Sequence, residues 1–81
     1  MQVAIDISLY PLHEDFIPPI KAIIDRLSQY KDIEVDRNRM STQLRGDFDV
    51  VMPILNAEIK ATFLDVPKAV FAIKILNNPV N

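Results

Sequence analysis

An α+β fold is predicted: a four-stranded antiparallel sheet with two helices on one face, in the order βαββαβ. Three observations predict it. Residues 2–10 alternate with strand periodicity, and residues 16–30 change to helical periodicity. The same strand-then-helix sequence recurs in the second half of the chain. The only tight connection between two strands falls in the middle.

In the first strand Val3, Ile5, Ile7 and Leu9 take one face, and Ala4, Asp6 and Ser8 the other. It ends in "SLYPL", residues 8–12, a hydroxyl, a phenol and a proline in one short stretch. The plain reading is a strand closed by a proline turn; the sharper one is the lip of a small-molecule pocket. The first helix, residues 16–30, is expected to bury Ile17, Ile20, Ile24 and Leu27, with Asp15 as its cap. Pro18 and Pro19 then fall in the first turn, where backbone N–H groups lack intrahelical partners anyway.

Two short strands follow, residues 33–37 and 40–45, joined through Asn38 and Arg39 as a hairpin. Gly46, the single glycine, is expected to mark a backbone conformation that other residues resist. The second helix, residues 50–64, would be capped by Asp49, place Pro53 at its fourth position and bury Met52, Leu55, Ile59 and Phe63. The last strand is residues 68–76, followed by the polar tail "NNPVN". Two strand–helix–strand units with right-handed crossovers give strand order 4-1-3-2, the ferredoxin-like βαββαβ sandwich. The first and third strands are expected to lie adjacent and parallel. That would put Ser8 and Tyr10 at the end where the third strand finishes, turned away from Thr42 by strict alternation.

The 81 residues make one domain, 1–81, of limited core; a chain this size buries about 60% of its unfolded surface. At 49% hydrophobic and 25% charged it reads as globular. A net charge of −2, with only Arg37, Arg39 and Arg45 clustered, disfavours nucleic acid. No apolar run approaches the roughly 18 residues of a membrane span, and no basic leader precedes the first strand. The absence of cysteine excludes disulfides and thiolate chemistry and suits a cytoplasmic location.

Both faces of the last strand are apolar: Ala69, Phe71, Ile73 and Ile75 on one, Val70, Ala72 and Leu76 beside Lys74 on the other. Topology nevertheless puts this strand at the sheet edge, over a face that no helix covers. Such a surface is an aggregation hazard unless another copy covers it, sheet to sheet or edge to edge. A homodimer or homotetramer is therefore expected, with Asp6 and Lys74 paired on the open face.

No catalytic constellation emerges. His13 is the single histidine, in a turn beside Glu14 and Asp15, and reads as a solvated residue rather than a base or ligand. Clustered metal-ligand spacing is absent, the Ser41–Thr42 pair has no evident base, and no glycine-rich phosphate loop exists. No catalytic residue, metal or cofactor is expected, and the protein is read as a non-enzyme. In "RMSTQLRGD", residues 39–47, Met40 and Leu44 are expected to face the helices and carry Thr42 inward. A buried threonine needs a hydrogen-bond partner, since an unmet hydroxyl costs about 1–3 kcal/mol.

"SLYPL", then "MSTQLRGD", then "ILNNP" in this order and spacing resemble the YkoF-like thiamine/hydroxymethylpyrimidine-binding family over nearly the whole chain. The resemblance implies a ferredoxin-like, non-catalytic domain that assembles into dimers or tetramers and binds thiamine or its pyrimidine moiety. Carried onto this chain, it implies Ser8, Tyr10, Met40, Ser41, Thr42 and Asn77 as ligand-binding residues. Tyr10 would supply a face for the ring, Ser8 and Thr42 hydroxyls for its edges, and Met40 an adaptable contact. Asp47 would be the carboxylate for a thiazolium cation. Where the family's ligand binders carry two tandem repeats, this chain has one, and self-association would restore the pair. The alternative is a structural or regulatory oligomerisation module without such a ligand.

Overall fold

The computed structural model describes residues 1–12 and 14–79; the reading of His13 lies outside the described residues. Six elements follow in order: β1 (Gln2–Pro11), α1 (Ile17–Leu27), β2 (Glu34–Arg37), β3 (Thr42–Asp47), α2 (Phe48–Asp65) and β4 (Ala69–Asn77). They form one four-stranded sheet in the order β2-β3-β1-β4, every neighbouring pair antiparallel. This is the α+β, ferredoxin-like arrangement expected.

The core sits between the helices and one face of the sheet. Val3, Ile5 and Ile7 from β1 and Leu44 from β3 meet Ile23 and Leu27 of α1 and Val51 and Leu55 of α2. Each such side chain contributes about 1.5–3 kcal/mol by leaving water, and alternation along β1 brings three to the same side.

The relation of β1 to β3 is the main departure. They are adjacent as expected but antiparallel, with Ile7 opposite Thr42 and Gln2 opposite Asp47. The topology requires it: the crossover through α1 makes β1 parallel to β2, and the hairpin reverses β3 against both. The end of β1 therefore lies beside the start of β3, so "SLYPL" and "RMST" meet.

Smaller departures have local causes. α1 starts at Ile17 with Phe16 at the N-cap and no capping side chain, so Asp15 does not cap it. Ile17 is largely exposed, and the inner stripe runs through Ile20, Ile23, Ile24 and Leu27. α2 begins earlier than expected, capped by Asp47, whose carboxylate accepts from the Asp49 amide. Its buried residues are Val51, Leu55, Glu58 and Thr62. Pro53 then lies inside the helix, where it cannot donate a backbone bond.

Gly46 has no positive φ. Its reason is space: a Cβ there would stand 3.3 Å from Ile33 Cγ2 and 3.6 Å from the Asp32 carbonyl oxygen. Met40 lies outside β3 in the β2–β3 connection and is exposed, so it does not join the core. After β4 the chain stays tied to β1 through Asn78 N–H, which donates to the Gln2 carbonyl at 3.1 Å.

Candidate functional site

A cleft of about 170 Å³ opens where β1 ends and β3 begins. Its apolar wall is α1, through Ile20, Ile23, Ile24 and Leu27, with Phe71 of β4 beside it. Its polar rim comes from Ser8 and Tyr10 on β1 and from residues 38–42. Both Leu9, which alternates toward the helices, and its neighbours Ser8 and Tyr10 line it, so the cleft reaches round the end of the strand.

The rim is shaped by Asn38, whose role the sequence had reduced to a turn position. Its side-chain oxygen accepts from the Met40 amide at 2.8 Å and the Ser41 amide at 2.9 Å. Its own N–H donates to the Ser41 carbonyl at 3.0 Å, closing the loop. An asparagine that satisfies two successive amides fixes a turn without glycine. The loop in turn fixes Ser41, whose hydroxyl donates to Asp6 Oδ1 at 2.5 Å across the sheet.

Thr42 is only 8% exposed and lies on the helix side, as expected. Among the described residues its hydroxyl has no hydrogen-bond partner, yet no sealed side-chain polar atom there is left unpaired. The Thr42 hydroxyl therefore keeps contact with the cleft, where an incoming group can meet it. Tyr10 is 54% exposed, with its ring available at the mouth.

Of the seven residues singled out from the sequence, Ser8, Tyr10, Met40, Ser41 and Thr42 come together around this cleft. Asp47 and Asn77 do not. They lie at the opposite end of the sheet, Asp47 across from Gln2 and Asn77 across from Val3. Asp47 is engaged there by the Met1 ammonium at 3.0 Å, which holds its carboxyl below the usual range. The apolar wall from α1, together with Asn38 and Arg39, was not anticipated. The signal was present in the helix stripe, once β1 and β3 are set antiparallel.

Two further features lie outside the cleft. The open sheet face carries a broader groove of about 440 Å³, with Asp6, Gln43, Arg45, Lys74 and Leu76 among its lining. Asp6 and Lys74 face each other in register, but the expected ion pair is not formed. The second feature, between the helices, is a polar cluster on Glu58, which is 6% exposed. Arg26 Nε donates to it at 2.5 Å and Tyr30 O–H at 3.1 Å, while Thr62 O–H donates to its backbone carbonyl. The hydrogen bond to this carboxylate raises the Tyr30 phenol above its ordinary value. Among the described residues no group of three or more His, Cys, Asp or Glu could hold a metal ion. No helix there is long and apolar enough to cross a membrane.

The model of the YKOF-related family matches residues 2–78. No curated protein matches the chain. Among solved structures, protein SP2199 from Streptococcus pneumoniae is 22% identical with a TM-score of 0.90, the alignment covering 99% of this chain and 90% of that one. TM0486 from Thermotoga maritima, named "putative thiamine biosynthesis/salvage protein", is 18% identical with a TM-score of 0.83, covering 93% and 82%. Protein MJ1052 from Methanocaldococcus jannascii is 26% identical with a TM-score of 0.81, covering 99% and 84%. At such identities the first two likenesses speak for the fold.

Proposed function

This chain belongs to the YKOF-related family, and from that premise we propose that it is a non-catalytic small-molecule-binding protein. Its ligand is thiamine or the hydroxymethylpyrimidine moiety of thiamine, and it acts as an oligomer in the cytoplasm. The observation that carries this reading is the shared cleft of Tyr10 and Thr42. An aminopyrimidine is flat, apolar on its faces and polar at its edges. The α1 side chains and Tyr10 suit its faces; the Ser8 and Thr42 hydroxyls suit its edges. Catalysis would need a positioned acid–base pair. Among the described residues, no carboxylate lines the cleft beside these hydroxyls.

Calorimetric titration with thiamine and with hydroxymethylpyrimidine tests the proposal. Saturable heat is expected, with affinity falling about tenfold in Thr42→Val, the loss of one hydrogen bond to a buried edge. No heat at millimolar ligand from a folded oligomer would remove this ligand class. The open-face groove favours a second reading, an oligomerisation module alone, which predicts self-association with an idle cleft.

A further inference from the structure

The cleft has a charge character of its own. Among the described residues that line it, Arg39 is the one that carries a formal charge. Asp47 stands at the far end of the sheet, and Asp6 is engaged by Ser41 from the open face. Nothing acidic among these residues faces the bound molecule, so a fixed positive charge inside it would meet Arg39 without a counter-charge. Of the cleft's two aromatic rings, Phe71 packs against Phe63 with ring centroids 5.5 Å apart, and Tyr10 stays exposed as the face for the ligand's own ring.

Size sets what the cleft itself encloses. At about 170 Å³ the cleft falls short of the roughly 300 Å³ at which pockets begin to enclose drug-sized molecules. It encloses about one ring, so any further group of the ligand stands outside, at the mouth. Arg39 sits at the tip of the loop that Asn38 anchors, so its backbone is held while its side chain is exposed. Among the described residues no partner holds its guanidinium. A free guanidinium fork at the mouth of an uncharged pocket is suited to a phosphate group left outside as the ring enters.

We propose that the cleft selects a single flat heteroaromatic ring bearing a phosphate ester, with Arg39 as the residue that selects it. This rests on the cleft being a pyrimidine site, and it separates the two candidate ligands. The phosphorylated hydroxymethylpyrimidine is preferred, and thiamine, with its thiazolium cation, is disfavoured.

Four probes should be titrated at constant ionic strength: hydroxymethylpyrimidine, its monophosphate ester, thiamine and inorganic phosphate. The ester is expected to bind about tenfold more tightly than the alcohol, as for one charge-assisted contact at an exposed site. In Arg39→Gln that ratio should fall to within about twofold, and Arg39→Lys should keep part of it. Because Arg39 is exposed and has no partner among the described residues, neither variant disturbs the core. The proposal is overturned if thiamine is the tightest ligand, if Arg39→Gln keeps the full ratio, or if inorganic phosphate binds as tightly as the ester. An alcohol that binds without gain from the phosphate defeats this inference and leaves the pyrimidine site standing. If neither the pyrimidines nor thiamine bind, both fall.

Discussion

Glu58 is a carboxylate buried beside a core of isoleucine, leucine and valine, and its environment is complete: Arg26 and Tyr30 donate to its carboxylate oxygens. Burying two opposite charges gains little overall, but removing one partner strands the other. Arg26→Ala is therefore expected to lower stability by about 1–3 kcal/mol, below the full cost of a buried unpaired charge because water still reaches part of the arginine. Replacing both, Arg26→Leu with Glu58→Leu, should recover most of that loss. Urea unfolding of the two singles and the double measures it; a double variant no more stable than Arg26→Ala would refute the idea. The cluster fixes α1 relative to α2, and α1 is the wall of the cleft. A contact outside the cleft thus helps set the cleft's width.

At the level of elements, α2 shows what sequence patterning can and cannot reveal. Its first half is apolar all round, with Val50, Val51, Met52, Ile54 and Leu55 in close succession, so periodicity alone does not choose a face. The expected stripe shares Leu55 with the observed one but takes Met52, Ile59 and Phe63 where the structure buries their preceding neighbours Val51, Glu58 and Thr62, each about 100° round the helix. The true stripe includes Glu58 and Thr62, polar residues whose burial depends on partners from α1 and from their own helix. A sequence pattern has no means of displaying such partners. The same helix carries Pro53 on an exposed surface, where the missing N–H costs a helical bond. Pro53→Ala should raise stability by about 1–2 kcal/mol, the helix gain less the entropy that proline removes from the unfolded chain. Thermal unfolding checks this; an unchanged or lower midpoint would refute it. The strands were more legible, because alternation in β1 fixes which side chains enter the core. The site was legible as two stretches, but their meeting needed the direction of β3, which follows from chain topology and not from any residue.

For the molecule as a whole, helices cover one side of the sheet, and β4 is an edge strand paired only with β1. Val70 and Leu76 are 49% and 57% exposed, flanking Ala72 and Lys74 along the open face. A long, mostly apolar edge without an internal proline is unusual in a monomer. Self-association is therefore expected in sedimentation velocity at micromolar concentration, and Leu76→Asp should shift the population toward monomer by placing a charge in the contact. A wild-type chain that stays monomeric as concentration rises would refute this. Leu76 lines the open-face groove and not the cleft, so Leu76→Asp tests self-association separately from ligand binding.

The four residues 38–41 connect β2 to β3 outside the core, and Asn38 holds their shape through its side chain and its own N–H while Ser41 ties them to Asp6. In the proposed binding mode, the part of recognition that Arg39 and Ser41 supply is carried on a replaceable tip. Exchanging that short segment would re-address the protein to a different cargo while leaving its chassis intact.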